Sequence, residues 1–401
     1  MSSKTPDGWL ARLTPLLVSI VTVIVYLDTH SLHPFLASYA RGMGASVLMV
    51  GMIIAAYSVF EDLFEYVAGY LMDKTGHKKI FIFAGMVGDA VAMVLYSLVG
   101  SPMALLGVRL AHGVSGSMAG PGIMSLMSQI PHPLSKLGAR MGLYGTTIIM
   151  ASIIGWVLGG LIASRLGYSV FFVSVAALLG VGAGLALLIR EPEPLFPEIR
   201  EPVSFRDGGR RLVRLVRNER LRLAYLGIFA HMVTMGAMTA LLPLRFEELG
   251  LSTFHVGMTL TGYGMAALVF QIPMGYFSER FGRVPTLIAG FCIVTTAMVL
   301  LSLMASFPTF VLVGVLYGAG YSFLFPSLTS LVVEVSAPHE RATASSVFHI
   351  MFTQGVVLGA FAFSWVAHLG GFAMGLRVSA IAPLLLLLWL VAFRKRLADE
   401  P

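Results

Sequence analysis

Long apolar runs, separated by short polar segments, extend along the whole chain. A helix needs about 20 predominantly apolar residues to cross the hydrocarbon core of a bilayer. Twelve runs are long enough, and each one predicts a transmembrane helix. The predicted spans are 13–37, 45–72, 79–100, 103–127, 139–163, 168–189, 222–246, 253–277, 284–305, 308–333, 342–367 and 372–393. The pattern therefore predicts an all-α polytopic membrane protein.

The composition agrees with this pattern. Of the 401 residues, 57% are hydrophobic and 12% are charged, whereas an ordinary soluble domain has about 45–50% apolar and about 25% charged residues. This excludes a soluble enzyme. The 43 glycines and 19 prolines are compatible with membrane helices, because neighbouring helices satisfy the backbone groups that they free. The single cysteine, Cys292, permits no intrachain disulfide and no cysteine-based metal site, and we expect neither metal nor cofactor.

Basic residues collect in alternate connecting segments, on one side of the predicted membrane. That side carries 22 of the 27 Lys and Arg residues if the N-terminus is cytoplasmic. Because cytoplasmic loops are enriched in Lys and Arg, we expect both termini inside the cell and a multi-pass protein of a bacterial or archaeal plasma membrane. The basic residues are dispersed over seven segments, so we expect no nucleic-acid partner. The first apolar run is too long for a signal-peptide core and should remain as a helix.

The chain contains a tandem repeat with an offset of 206 residues. The stretch 57–79 aligns with 263–285, and six positions correspond: Tyr57, Phe64, Gly69, Tyr70, Asp73 and Gly76 with Tyr263, Phe270, Gly275, Tyr276, Glu279 and Gly282. We predict a six-helix bundle over 1–189, a basic cytoplasmic linker over 190–221 and a second six-helix bundle over 222–401. From Ser204 the linker is partly amphipathic and suits an anionic membrane surface.

The segment 69–81 resembles the loop between helices 2 and 3 of the major facilitator superfamily. The matching residues are Gly69, Leu71, Asp73, Lys74, Gly76 and Lys78, and His77 stands where the family usually has Arg. A second copy lies at 275–283, with Glu279 in place of the Asp. The resemblance extends over 10–395 and implies two pseudo-symmetric six-helix bundles that transport by alternating access.

In this family the repeated loops act as a conformational latch on the cytoplasmic side. Each acid is suited to cap the start of a neighbouring helix and to pair with an arginine. The resemblance places Asp73 near Arg341 and Glu279 near Arg140. The predicted latch residues are Gly69, Asp73, Lys74, Gly76, Lys78, Arg140, Gly275, Glu279, Arg280, Gly282, Arg283 and Arg341.

Two further segments resemble proton-coupled branches of the family. Helix 4 carries Arg109 followed by His112 and Gly113, similar to the R-x-x-q-G motif, with His in place of the usual Gln. Asp28 and Pro34 in helix 1 loosely match an acid and a proline of drug and lipid exporters. The drug-antiporter signature of helix 5 aligns over 142–160 but lacks one glycine and the central proline, which leaves the direction of transport open.

Charged residues inside the predicted spans are candidate functional residues, because each costs about 2.5–3.5 kcal/mol at the bilayer centre. Glu61, Asp62 and Glu65 fall within an arc of ~100° on helix 2. These acids either carry a proton or bind a cationic substrate, or they form structural ion pairs with a base such as Arg109. The second repeat has no acid at the equivalent positions, so the fold does not require them.

Asp28 in helix 1 is a second candidate for a proton or substrate site, with a helix–helix hydrogen bond as the alternative. Asp89 in helix 3 is expected to be a packing contact, and His30, His33, His231 and His349 are expected to be satisfied polar groups. The predicted proton and substrate site consists of Asp28, Glu61, Asp62, Glu65, Arg109 and His112.

We therefore expect a secondary active transporter that exports a small amphiphilic, cationic or lipid-like compound in exchange for protons. The alternative is a proton-linked uptake symporter of a small metabolite. A membrane enzyme is not expected, because the only long loop has neither His nor Cys, and a nucleotide-driven pump is excluded by the absence of a phosphate-binding loop motif. A receptor on the same fold stays open. The expected partners are the substrate, protons and the lipid bilayer, and the expected state is a monomer.

Overall fold

The computed structural model describes residues 9–45, 47–129, 136–191, 205–251 and 253–399. These residues form helices and connecting turns, and no strand occurs among them. A single 3-10 turn spans Pro338–Glu340. The helices are α1 (Trp9–Gly42), α2 (Val47–Thr75), α3 (Lys78–Leu98), α4 (Pro102–Gly116), α5 (Gly120–Gln129), α6 (Leu137–Leu166), α7 (Tyr168–Leu187), α8 (Phe205–Arg217), α9 (Glu219–Glu248), α10 (Thr253–Phe281), α11 (Arg283–Leu303), α12 (Phe307–Val335), α13 (Arg341–Gly370), α14 (Phe372–Ser379) and α15 (Ile381–Asp399).

Helices occupy all twelve predicted spans. Ten helical segments of the described chain are long and apolar enough to cross a bilayer, and the chain is a multi-pass helical membrane protein. Two predicted spans are broken helices: 103–127 divides into α4 and α5, and 372–393 divides into α14 and α15. Both breaks lie just before a proline, Pro121 and Pro383, whose missing N–H removes one helical hydrogen bond.

The helices group into two units. Unit 1 comprises Met1–Pro133, Thr147–Gly209 and Ala337–Ser346, and unit 2 comprises Leu134–Thr146, Arg210–Ser336 and Val347–Pro401. The first turns of α6 belong to unit 2, and the first turns of α13 belong to unit 1.

The linker predicted over 190–221 is only partly described. Residues 192–204 of this linker lie outside the described part of the chain, whereas its second part forms α8. The predicted division of the chain into two bundles at this linker remains a prediction.

Within unit 1, α3 packs against α7 and α2 packs against α4. Buried aromatic and sulfur-containing side chains, such as Tyr96, Phe172 and Met86, fill the space between these helices. Within unit 2, α12 packs against both α10 and α11. Glycines permit these close crossings: a Cβ at Gly314 would lie 2.6 Å from the carbonyl oxygen of Thr259. Small residues are common where membrane helices approach closely.

Candidate functional site

Unit 1 contains a cluster of charged side chains that is closed off from the surroundings. Asp28 projects from α1, Asp89 from α3, and Arg109 and His112 from α4. All four are buried, with Arg109 and His112 at 0% exposure. We call these four residues the charged cluster. Charges at this depth are costly unless they are paired, so their contacts determine what the cluster can do.

The contacts of His112 fix its tautomer. Arg109 NH1 lies 3.4 Å from His112 Nδ1, and a guanidinium can only donate hydrogen bonds. His112 Nδ1 is therefore the acceptor, and its ring proton is on Nε2. Nε2 in turn donates to Asp28 Oδ2 at 3.0 Å. The hydroxyl of Tyr96 also lies 3.0 Å from Nδ1. The cluster thus holds a neutral imidazole that orients the Asp28 carboxylate.

One oxygen of Asp28 is available for a proton. Asp28 Oδ1 is buried and has no hydrogen-bond partner among the described residues. Asp89 lies on the other side of the histidine, with Oδ1 3.6 Å from His112 Nε2, and accepts a hydrogen bond from Ser115 Oγ at 2.5 Å. Both carboxylates therefore contact the same imidazole nitrogen. Asp89, expected to be a packing contact, therefore lies within the candidate site.

The acids of α2 border this cluster. Tyr57 Oη donates to Glu61 Oε1 at 2.9 Å, and the guanidinium of Arg109 lies over the Tyr57 ring, 4.3 Å from its centroid. Glu65 is buried, whereas Glu61 and Asp62 are half-buried. Tyr57 therefore connects the acidic face of α2 to Arg109, with a cation–π contact on its face and a hydrogen bond at its hydroxyl.

The charged cluster also contains a possible donor set for a metal ion. One ligand atom from each of Asp28, Asp89 and His112 lies within 4.8 Å of the others. Carboxylate oxygens and imidazole nitrogens are common ligands of divalent metals. The same three groups can instead hold a proton. The position of Arg109 bears on this choice, because it adds a fixed positive charge beside His112.

The first latch segment caps the start of α13. The carboxylate of Asp73 accepts hydrogen bonds from Ala342 N at 3.1 Å, from Thr343 N at 2.8 Å and from Thr343 Oγ1 at 2.6 Å. A carboxylate is favourable there because the first N–H groups of a helix have no partner within it. Asp73 lies one residue beyond the predicted span 45–72. Burial raises the pKa of its carboxyl to about 6, although the hydrogen bonds from Thr343 oppose the rise.

The second latch segment has the same geometry in unit 2. Glu279 Oε1 accepts from Gly138 N, at the start of α6, at 2.8 Å. Glu279 also pairs with Arg283 NH2 at 2.7 Å, and this guanidinium reaches Glu334 at 2.5 Å. Arg140 is next to this acid and interacts with it electrostatically. Each acid of the repeat therefore caps the start of another helix: Asp73 caps α13 and Glu279 caps α6.

Glycines bring the latch helices together in both units. A Cβ at Gly69 would lie 2.7 Å from the carbonyl oxygen of Ala342, and a Cβ at Gly275 would lie 2.7 Å from the backbone nitrogen of Ala139. Neither helix pair could approach as closely with a larger residue. The repeat in the sequence is thus also a repeat of contacts.

The remaining latch residues lie around these two caps. Gly76 and Gly282 end the loops with φ values of +72° and +92°, a conformation that favours glycine. Lys78 is buried and electrostatically favours the charged form of Asp73. The guanidinium of Arg280 lies 5.5 Å from the ring centroid of Phe281. The other two predicted members, Lys74 and Arg341, lie at the end of α2 and the start of α13.

The structure adds residues that the sequence did not single out. Tyr57 and Tyr96 hold Arg109 and His112 in place, but each is one aromatic residue in an apolar run and gives no signal by itself. In the sequence, Asp89 and Asp28 look alike, because each is an acid inside a predicted membrane span. Only the packing of α3 against α4 shows that both acids reach one histidine.

Comparison with known proteins places this chain among membrane transporters. The family model of the Major Facilitator Superfamily matches residues 18–254 and 223–401. An uncharacterized MFS-type transporter of Methanocaldococcus jannaschii is 24% identical over 363 residues, covering 90% of this chain and 93% of that protein. Multidrug resistance protein 1 of Bacillus subtilis is 24% identical over 341 residues, covering 84% and 85%. The crystal structure of the human organic anion transporter MFSD10 is similar with a TM-score of 0.81 at 18% identity, covering 96% and 100%.

Proposed function

Because this chain belongs to the major facilitator superfamily and is a membrane transporter rather than an enzyme, we propose that it exports a small amphiphilic compound in exchange for protons. The substrate class, cationic, neutral or lipid-like, follows from the excess of buried acids over bases in unit 1. The proposed location is the plasma membrane of a bacterium or archaeon, with both termini cytoplasmic.

The observation that carries the proton coupling is the unpaired oxygen of Asp28 in the charged cluster. A buried carboxylate with one oxygen held by His112 and the other free gains a hydrogen-bond donor when it takes up a proton. The loss of its negative charge then changes the interaction with Arg109, which lies on the other edge of His112. Protonation at one atom thereby alters contacts between α1 and α4.

The acids of α2 complete the proposed proton route. Glu61 and Asp62 are half-buried, whereas Glu65 is buried. Since Tyr57 contacts both Glu61 and Arg109, a change of charge at Glu61 is transmitted to the cluster through Tyr57. In this proposal the α2 acids deliver the proton and Asp28 holds it.

The two latch segments supply the conformational element. In the proposed cycle, the Asp73 cap on α13 and the Glu279 cap on α6 form in one state and break in the other. Alternating access requires an element with two arrangements, and a helix cap made by only a few hydrogen bonds is suited to break and re-form. The two six-helix halves predicted by the repeat are the proposed moving bodies, and the proposed transporter is a monomer.

Export rests on similarity as well as chemistry. The Bacillus subtilis relative is described as a multidrug resistance protein, and the excess of buried acids over bases in unit 1 favours cationic or neutral compounds. A proton-linked uptake symporter is the second candidate. The sign of proton movement relative to substrate movement separates the two.

The test is proton flux in proteoliposomes that contain a lumenal pH dye. Pools of cationic, neutral, lipid-like and anionic compounds are added under an imposed pH gradient. Export predicts that one pool drives protons in the direction opposite to its own movement, and that Asp28→Asn abolishes the flux. Flux in the same direction would instead establish a symporter. No flux with any pool would overturn proton coupling.

A further inference from the structure

Among the described residues of unit 2, His231 and Gln271 each have two buried side-chain polar atoms and no hydrogen-bond partner for either, and these two side chains point to a ligand. Both nitrogens of the His231 ring and both polar atoms of the Gln271 side chain have no hydrogen-bond partner among the described residues. Both residues have 0% exposure. Buried polar groups are nearly always paired, and each unpaired group costs about 1–3 kcal/mol, so two side chains with four such atoms between them require an explanation.

The His231 ring stacks with two tyrosine rings. Its ring centroid lies 5.2 Å from that of Tyr317 and 4.9 Å from that of Tyr321, with interplanar angles of 24° and 15°. These stacking contacts involve the faces of the imidazole and leave its two nitrogens, which lie in the ring plane, unengaged. Thr234 Oγ1 bonds to Tyr317 Oη at 2.8 Å and so fixes one of these rings.

Gln271 lies at the other end of the same aromatic series. Tyr321 contacts Phe325 at a centroid distance of 5.4 Å, and Phe325 stacks on Tyr144 at 6.0 Å. A Cβ at Gly145 would collide with Gln271 Oε1 and would lie 2.7 Å from Phe325 Cδ1, so the amide lies beside that ring. Aromatic faces thus connect the two unpaired polar groups, and all these residues belong to unit 2.

In this part of unit 2 the second repeat has uncharged residues where the first repeat has acids. Thr234 and Gln271 follow Asp28 and Glu65 by 206 residues. No carboxylate, lysine or arginine is among the buried side chains of the described part of unit 2. A cation would find no counter-charge here, whereas an uncharged group would find a donor and an acceptor on both the neutral imidazole and the amide.

We propose that His231, Gln271 and the aromatic residues between them bind an uncharged, planar aromatic part of the substrate that carries hydrogen-bonding groups at its edge. This inference rests on the proposed transport function and narrows its substrate class. The rings of Tyr321 and Phe325 stack on the flat part, and His231 and Gln271 pair with its polar edge. Phenol- and quinone-type compounds have this chemistry.

The test measures equilibrium binding to the purified full-length protein without any ion gradient. The probes are 6-hydroxyflavone and flavone, which differ by one hydroxyl group, and tetraphenylphosphonium serves as a cationic comparison. We expect 6-hydroxyflavone to bind about five- to tenfold more tightly than flavone, the effect of one net hydrogen bond. His231→Phe or Gln271→Leu should reduce or remove this difference.

Thermal unfolding of the same variants separates ligand binding from a structural role. Replacing an unpaired buried polar group by an apolar group removes a desolvation cost, so His231→Phe and Gln271→Leu should leave the Tm unchanged or raise it. Thr234→Val is the matched control. It breaks the bond to Tyr317 and should lower the Tm.

Three results would overturn the inference. The first is equal binding of the two flavones to the wild-type chain. The second is a preference for 6-hydroxyflavone that remains in both His231→Phe and Gln271→Leu. The third is a Tm that is lowered in both of these variants, as it is in Thr234→Val. Because no gradient is used, these results leave proton coupling untouched. Failure of the proposed function would instead appear as absence of proton flux with any pool, whatever the binding result.

Discussion

His112 Nε2 donates a hydrogen bond to Asp28 Oδ2 across 3.0 Å, linking α4 to α1 at a fully buried position. In the proposed cycle Asp28 holds the proton and His112 positions Asp28. Asp28→Asn should therefore abolish substrate-driven proton flux. His112→Gln, whose amide can still donate to Asp28 and which is the usual residue of the similar family motif, should keep the coupling. Dye-reported flux in proteoliposomes measures both.

Thr22→Val is the matched control for this pair, since Thr22 is also a buried polar residue of α1 and its hydroxyl bonds to the carbonyl oxygen of Val18 in the same helix. It should retain substrate-driven flux. Loss of coupling in His112→Gln together with normal coupling in Asp28→Asn would move the proton to the imidazole and contradict the assignment.

Glu61 is expected to affect the rate of proton delivery without setting the stoichiometry. Its carboxylate accepts from Tyr57 at 2.9 Å, and Tyr57 lies against Arg109. Glu61→Gln retains the hydrogen bond but removes the charge, so the flux should slow several-fold at an unchanged proton-to-substrate ratio. Tyr57→Phe should have a similar effect. If Glu61→Gln abolished coupling, the proton carrier would be Glu61 and not Asp28.

The sequence pointed to part of the candidate site through charge and through a motif resemblance. Six polar residues inside predicted spans were selected in this way, and three of them, Asp28, Arg109 and His112, lie together in the charged cluster. The sequence could not show which acids share a histidine, since that depends on the crossing of α1, α3 and α4. Nor could it show that neither nitrogen of His231, expected to be a satisfied polar group, has a hydrogen-bond partner among the described residues.

The fold was predictable for a different reason. Apolar runs of about 20 residues and the 206-residue repeat are properties of the sequence itself. The breaks between α4 and α5 and between α14 and α15 were missed, because membrane helices often continue through a proline, as α10 does at Pro273. Local sequence does not distinguish a tolerated proline from one that ends a helix.

The cap of Asp73 on α13 should depend on pH. In the capped state burial raises the pKa of the carboxyl to about 6, above its ordinary value, so this state takes up a proton more readily than the uncapped state. Lowering the pH through about 6 therefore favours the capped state. Hydrogen–deuterium exchange of the first turn of α13, corrected for intrinsic rates, should show greater protection at pH 5 than at pH 7.5.

Asp73→Asn removes this titration. The variant should show no pH dependence of protection in the first turn of α13, and it should turn over more slowly with little change in substrate affinity, since a side chain that stays neutral favours the capped state at every pH. Thr343→Val, which removes one of the three hydrogen bonds but leaves the carboxyl, should keep the pH dependence. Unchanged transport in Asp73→Asn would count against the latch.

Gly275 should be intolerant of any side chain. A Cβ there would overlap the carbonyl group of Gly138 and would lie 2.7 Å from Ala139 N. Gly275→Ala should therefore destabilise the protein by about 1–3 kcal/mol, the usual cost of overpacking. Gly257→Ala is the control in the same helix, because a Cβ at Gly257 meets nothing within 4 Å, and it should be neutral or slightly stabilising. The Tm of each variant in detergent measures the difference. Equal Tm values for Gly275→Ala and Gly257→Ala would mean that α6 and α10 can move apart without a loss of stability.

A divalent metal should bind weakly at the charged cluster, although Asp28, Asp89 and His112 have suitable donor spacing. To ligate a metal through Nε2, His112 would have to carry its proton on Nδ1. That proton would point at Arg109 NH1, 3.4 Å away, which can only donate. In the required tautomer the Nδ1 proton could be accepted by Tyr96 Oη, 3.0 Å away, but Arg109 competes as a donor at the same nitrogen, and its positive charge further disfavours a second cation. In calorimetric titrations with Zn²⁺, the purified wild-type chain and Asp28→Asn should give the same result, because neither binds Zn²⁺ at the cluster. Arg109→Gln should gain Zn²⁺ binding. Zn²⁺ bound by the wild-type chain and lost in Asp28→Asn would identify the cluster as a metal site and remove the basis for placing the proton there.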